Sequence, residues 1–480
     1  MSRVLGTESE VLALSPDASS SKAAKGLQSP AKWPSMGCNE SAVWGECQGS
    51  GSKPYQTQVD LSGPSFKCSC PSRKFPCKHG LALMLMRAGG QVPEGVDPPA
   101  WVQSWLDSRQ EKAEKKEAKA AAAAAAPPPD PEVAARQQAR REDKRWDKVE
   151  AGLQELSLWM QDMVRAGLAN QAGDTQMRQR WNTMAARMVD AQATGMAARI
   201  KDCRDLVDSH RDWPRDMLVQ LGHWQLIIDA VRRRESLSPE VKADVMAALG
   251  WPMDKAEVQT RGRQVEDEWL VVGLRMIELE GRLMERRVWL QGRRTGSMAL
   301  VLDYAQGGRG FESAWVPGHR YGCALTFYPG HAPLRAIAAQ GNGPALAADG
   351  ASPMSSSAVE AVLPQLGRRV AANPLQATQP LCQDGLRLVP VQGQWFAAWP
   401  ETPGGAAVQP VPVAIDDGEA WRLLALTGGE PMQLFGEWES GPAVGRWRLL
   451  SAWQARAGGG DGGKAVPQSQ CVWHTQGDPI

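Results

Sequence analysis

From Trp146 to Met163 the chain returns an apolar side chain at steps of three and four: Trp146, Val149, Leu153, Leu156, Met160, Met163. Met177, Trp181, Met184 and Met188 repeat the spacing. Such steps put each row on one side of a helix with 3.6 residues per turn. Ser238-Pro239-Glu240 marks a further helix start, and Gly250 ahead of Trp251-Pro252 its stop. Residues 132–262 are therefore expected to form a helical domain, a bundle with the Met and Trp rows as core.

Upstream the period changes to two. In "YQTQVDL", Tyr55, Thr57, Val59 and Leu61 alternate with Gln56, Gln58 and Asp60, the pattern of a half-buried strand. With "SAVWGECQ" before it and a "GSGSKP" turn between, residues 41–61 predict a β-hairpin. "FKCSC" keeps the alternation, so Cys68 and Cys70 share a predicted strand face. "KHGLALMLMRAGG" reads as a helix ended by Gly89 and Gly90, and "SPDASSSKAAKG" as a short helix from Ser15 to Gly26. From Trp101 to Ala126, nothing apolar recurs past Leu106 and Ala, Lys and Glu favour helix; this stretch is expected to be a solvated helical spacer ended by the prolines at 127–129.

Beyond about residue 265, short apolar runs are set off by Gly and Pro: "RRVWLQGRRTGSMALVLDY", "ALTFYPG", "LRLVPVQGQWFAAW", "EAWRLLALTGG", "GRWRLLSAW". They predict a β-rich domain, interrupted by a Gly, Ala and Ser-rich insertion near 340–357. No internal repeat is evident. The expected architecture is α+β and multidomain. Residues 1–106 hold an N-terminal helix and a small ββα-type module with its core at 41–88, and a spacer and Pro linker follow at 107–131. A helical domain at 132–262, a β-rich domain at 263–457 and a loose tail at 458–480 complete the chain.

Composition narrows the function classes. A length of 480 residues exceeds what one core usually serves. The formal net charge of +1 excludes a surface that attracts nucleic acid or anionic lipid everywhere, so any such partner needs a local patch. No apolar run reaches signal-peptide or membrane-span length, which predicts a cytoplasmic protein without a membrane partner. Nine cysteines, an odd number in a chain read as unexported, predict reduced thiols. The twenty Trp residues are expected mostly in the core.

The densest chemistry is "CSCPSRKFPCKH", residues 68–79. Cys68 and Cys70 lie roughly 6.7 Å apart along a strand, near enough for their side chains to converge on one ion. Cys77 and His79 approach from the loop and the first turn of the next helix. Three thiolates and one imidazole make a closed tetrahedral site whose soft sulfurs favour Zn²⁺. With no open position, the single ion is expected to be structural. Such zinc contributes on the order of 10–16 kcal/mol in small finger peptides.

The spacing Cys-x-Cys, six residues, Cys-x-His, set after a hairpin and opening a helix, resembles the SWIM-type zinc finger. Cys68, Cys70, Cys77 and His79 stand at its four ligand positions. From "LSPDASSS" through "WGECQGSGSKPYQTQVDL" to "CSCPSRKFPCKHGLAL", residues 12–88 are similar to a bacterial group of long SWIM-containing proteins. That resemblance implies genes beside a MoxR-type AAA+ ATPase and a von Willebrand factor A protein. It also implies a finger that binds protein or DNA.

Two functions are expected. The first is a protein-interaction adaptor, because "LALMLM", residues 81–86, is apolar all round its helix and needs cover, from the chain itself or from a partner such as the AAA+ ATPase or the von Willebrand factor A protein. The alternative is DNA binding. Residues 1–90 hold ten Lys or Arg against six Asp or Glu, and Lys67, Arg73, Lys74 and Lys78 surround the cluster as nucleic-acid contacts. An enzyme is not expected. "GECQGSGSKP" lacks the ending of a phosphate-binding loop, there is no G-x-S-x-G, and no small-molecule substrate is evident. Cys323 between His319 and His331, Cys471 with His474, and Cys38 and Cys47 beside the finger are read as core or tail residues rather than as catalytic or metal groups.

Overall fold

The computed structural model describes residues 7–15, 18–49, 53–61, 65–72, 76–111, 131–168, 176–207, 212–279, 283–306, 311, 313, 315–338, 345–346, 352–354, 362–400, 409–439, 445–455 and 469–475. The fold is mixed α+β and multidomain: a finger with a Cys/His cluster, a helical bundle, and β-rich C-terminal sheets.

The N-terminal unit comprises α1 (Glu8–Ala13), α2 (Ala18–Lys25), β1 (Ser35–Cys38), β2 (Ala42–Cys47), β3 (Tyr55–Asp60), β4 (Ser65–Cys68), α3 (Lys78–Ala88) and α4 at residues 100–111. Its sheet is antiparallel in the order β1-β2-β3-β4, two strands more than the hairpin at 41–61. Val43, Val59 and Phe66 on one face pack against α3, and α1 and α2 lie over the far side of that helix. Residues Leu81 to Met86 are all buried, so the chain itself covers the apolar helix. The other sheet face is covered as well. Ala42 and Trp44 pack on Val102 of α4, and Arg109 pairs with Asp60 at 2.9 Å and donates to Ser65 Oγ at 3.0 Å. That second cover buries Gln58 and Asp60, which an alternating strand would have left in water.

The bundle consists of α5 (Pro131–Ala166), α6 (Met177–Asp190), α7 (Thr194–Arg204), α8 (Trp213–Arg232), α9 (Pro239–Ala248) and α10 (Lys255–Arg261). Both predicted rows, Trp146 to Met163 and Met177 to Met188, are buried in one core with Trp224, Ile227 and Ile228 of α8. Ser238 caps α9 by accepting a hydrogen bond from the Val241 amide at 3.4 Å. The spacer at 107–131 falls largely outside the described residues.

The C-terminal part contains two sheets. The first has β5 (Arg263–Leu279), β6 (Leu283–Gly292), β7 (Met298–Gln306), β8 (Arg320–Phe327), β9 (Arg335–Ile337) and the short β10 (Ala345–Leu346). After α11 (Val362–Ala372) the second has β11 (Thr378–Val391), β12 (Gln394–Ala398), β13 (Val411–Ala414), β14 (Met432–Glu439), β15 (Arg446–Ala455) and β16 (Ser469–His474), with α12 (Asp417–Thr427) between β13 and β14. In the first, β8-β5-β6-β7-β9 closes through an antiparallel β8–β9 pair, and β7–β9 is parallel. In the second, β14-β11-β12-β13 closes through β15, which runs parallel to β13 and antiparallel to β14. The two are the same five-stranded barrel, built twice. In both, the first strand gives its opening half to the fourth strand and its closing half to the second. A bulge bends each such strand, between Val271 and Gly273 in β5 and between Gln383 and Leu386 in β11, where Gly385 takes φ +75°.

Two sequence expectations change here. "EAWRLLALTGG" is α12: the Asp416 carboxylate accepts from the Glu419 amide at 3.1 Å, and Gly428 ends the helix at φ +63°. Within 458–480, expected as a loose tail, Ser469–His474 form β16 on β15, with Trp473 buried in the second barrel. The predicted insertion near 340–357 lies mostly outside the described residues. Tryptophans dominate the interior, Trp269 and Trp315 in the first barrel and Trp447 in the second.

The barrels meet along Leu270, Val272, Trp289, Phe435, Leu450 and Trp453. Glu437, 1% exposed, lies within that interface and accepts from Trp289 Nε1 at 2.6 Å and Arg287 Nε at 2.8 Å. Removing one partner from a buried charge pair strands the other, at a cost of about 3–5 kcal/mol. Glu437→Ala should therefore lower the midpoint of thermal unfolding, followed by tryptophan fluorescence; an unchanged midpoint would show that the network does not hold the barrels together.

Candidate metal centre

Cys68 ends β4, and the strand stops there because Pro71 follows closely and cannot donate to a ladder. Cys70 thus lies in the bend beyond the strand, not on the shared strand face that the alternation predicts. The bend keeps a tie to the sheet: Ser69 donates its amide to Gln56 O and accepts from the Gln56 amide on its hydroxyl, both at 2.9 Å. Cys77 is the N-cap of α3, its sulfur accepting from the Gly80 amide at 3.5 Å, and His79 sits in the first turn. Gly80 has to be small. A Cβ there would lie 2.8 Å from the Phe66 ring, the contact that presses α3 on the sheet.

These elements bring one donor atom from each of Cys68, Cys70, Cys77 and His79 within 4.8 Å of one another. His79 Nδ1 is 3.8 Å from Cys68 Sγ and 4.0 Å from Cys77 Sγ. Sulfurs about 2.3 Å from a tetrahedral zinc stand about 3.8 Å apart, a spacing the four donors approach. Cys77 and His79 are buried and Cys68 and Cys70 half-buried. Thr57 Oγ1 lies 3.1 Å from Cys68 Sγ, and the Tyr55 ring packs 5.1 Å from the His79 ring, limiting how the imidazole can turn.

Three thiols this close cannot all ionise unaided. Hydrogen bonds from Cys68 and then Cys77 hold the Cys70 thiol far below its ordinary range. The hydrogen bond to Cys70 pushes Cys68 up, and hydrogen bonds to Cys68 and Cys70, with burial, push Cys77 up further. A divalent cation at the centre removes the conflict by favouring all three thiolates. The resulting site carries one net negative charge at the N-terminus of α3, where the helix dipole favours an anion. One zinc fits, held by three sulfurs and one nitrogen, and its chemistry is to join a strand end to a helix start.

Of the residues proposed to meet nucleic acid, Lys67 and Lys78 are exposed, while Arg73 and Lys74 lie outside the described residues. Cys38 and Cys47 belong to the finger core, and burial pushes both thiols up. His319 Nδ1 faces Pro317 O at 3.4 Å, and the His331 amide bonds Asp244; among the described residues neither histidine is hydrogen-bonded to Cys323, whose thiol burial pushes up to about 11. Cys471 and His474 pair with Trp453 and Ser451 of β15 across a register shift in β16, and among the described residues no group of three or more metal donors includes them. The nine cysteines are free thiols. Among the described residues no helix is long and apolar enough to cross a membrane.

Cys77→Ser removes one sulfur donor while leaving a side chain that can still cap α3, and should abolish stoichiometric zinc in the purified protein and expose Leu81 to Met86 to limited proteolysis; a full zinc complement would contradict the site. Protons compete for the same sulfurs. Because Cys68 and Cys77 bind protons more tightly than ordinary thiols, zinc affinity should be full at alkaline pH and fall as pH drops, with protons released on binding. Chelator competition across a pH series checks this, and a flat response would contradict it.

Residues 55–88 match the family model of the SWIM zinc finger, and residues 144–249 match that of the SWIM-associated four-helix bundle domain. The first match contains all four donors, and the second begins within α5 and runs to the end of α9. No curated protein and no solved structure matches the chain. The chain thus joins a SWIM zinc finger to a SWIM-associated four-helix bundle domain, ahead of two barrels that neither match covers.

Proposed function

We propose that this chain is a non-enzymatic adaptor, in which zinc fixes the finger and the bundle offers the docking surface. The observation that carries the reading is the outer face of α8. Leu218, Val219 and Leu226 are each about half exposed, and nothing stands within 4 Å of the position a Cβ would take on Gly222 between them. The opposite face of α8 is already in the bundle core through Met217, Leu221, Trp224 and Ile228. A helix apolar on both sides has one side to give to another protein. The finger helix is a poorer candidate, since α1, α2 and the sheet cover it. The resemblance to bacterial SWIM proteins supplies the partner class, a MoxR-type AAA+ ATPase or a von Willebrand factor A protein.

DNA binding remains the second reading, supported by the exposed Lys67 and Lys78 beside the metal site. One experiment separates the two: capture of the purified AAA+ ATPase and von Willebrand factor A protein by the full chain, with and without nuclease, repeated with Leu218→Glu/Leu226→Glu. The adaptor reading predicts nuclease-resistant capture that the double substitution abolishes. Capture of neither protein, or capture indifferent to the substitutions, would overturn it, and loss on nuclease treatment would favour DNA.

A further inference from the structure

Independently of the adaptor reading, a cavity of about 740 Å³ opens where the bundle meets the first barrel. That volume falls in the range of about 300–1,000 Å³ usual for small-molecule sites. α5 contributes Arg141 and Arg145, the segment after α9 contributes Trp251, and the β8–β9 side contributes Tyr328 and Arg335. The two units are tied together at its rim, the His331 amide donating to Asp244 Oδ2 at 2.9 Å and Arg199 Nη2 to Leu375 O at 3.0 Å.

The charge in this cavity is unbalanced. Three carboxylates line it, and each is already engaged: Glu257 with Arg261 at 2.6 Å, Glu142 with Lys242 at 3.5 Å, and Asp244 with the His331 amide. Among the described residues, no hydrogen bond or ion pair holds the guanidinium of Arg141, Arg145 or Arg335. Arg145 lies over the Trp251 ring at 4.0 Å, itself packed 4.5 Å from Trp146, and its buried Nε has no acceptor. Arg335 lies over Tyr328 at 4.4 Å. Stacking on rings presets the guanidinium planes without satisfying their donors. Burial also pulls Arg145 and Arg199 below the ordinary arginine range, which an anion in the cavity would reverse.

The location points to a class of anion. Five-stranded Greek-key barrels bind oligonucleotides and sugars on the face of their second and third strands, at the loop between the first and second strands, and at the loop between the fourth and fifth. In the first barrel that loop is residues 328–334, and it forms one wall of the cavity. Trp251, Pro252, Met253 and Leu334 give an apolar side, and guanidinium planes accept stacked bases. We infer that this cavity binds a nucleoside phosphate, with Arg141, Arg145 and Arg335 taking the phosphates and the apolar wall taking the nucleoside. The same chemistry is offered by a free nucleotide and by a segment of single-stranded nucleic acid.

Calorimetry on the full-length, zinc-loaded chain tests this with ATP, adenosine and a short single-stranded oligothymidylate. ATP or the oligonucleotide should bind and adenosine should not; the tighter of the two names the source. Arg145→Lys, which keeps the charge but loses the fork, should weaken binding about tenfold or more. Arg335→Ala and Arg141→Ala, at exposed positions, should each weaken it severalfold with unchanged unfolding midpoints. Absence of binding by both phosphate ligands, or affinity undiminished in all three variants, would overturn the inference.

Discussion

Four donor atoms within 4.8 Å of one another hold together a strand end, a bend and a helix start that have little else in common. The bend beyond β4 is tied to the sheet by the Ser69–Gln56 pair. An eleven-residue helix such as α3 is marginal by itself in water. A zinc at the shared centre fixes both ends at once, and only then does Phe66 meet Gly80 and the row from Leu81 to Met86 find its cover. The metal site is thus built as a structural device.

The rest of the chain is organised by how apolar rows are covered. The bundle closes its Met and Trp rows on one another and leaves the outer face of α8 bare. The two barrels close on themselves and then on each other, with Glu437 neutralising the arginines that their union buries. Where bundle and first barrel meet, the covering is incomplete, and three arginines that lack an acceptor among the described residues line the gap.

The helical rows and the metal ligands were legible because both signals are local: a period of 3.6, and four donor residues within twelve positions. Strand pairing is not local. Twofold use of one barrel leaves no trace in the sequence because it resides in which strands pair, and the two copies fill their interiors with different side chains. α4 hid the burial of Gln58 and Asp60 for the same reason, since its contacts come from 49 residues downstream in the case of Arg109 and Asp60. α12 carries helix signals, Asp416 three before Glu419 and the Gly428-Gly429 stop, but its apolar run is as short as those of the strands on either side, which makes the segment look like one more strand. The arginine cavity draws on α5, the turn after α9 and β9, more than eighty residues apart along the chain, and no spacing rule finds it.

The central claim is a closed site of three sulfurs and one imidazole nitrogen around one zinc. Zinc-edge X-ray absorption on the purified full-length chain, with the metal content measured on the same sample, tests it most directly. One zinc per chain with three sulfur neighbours near 2.3 Å and one nitrogen near 2.0–2.1 Å is the predicted result. Substoichiometric metal, or an oxygen neighbour in place of a sulfur, would contradict it.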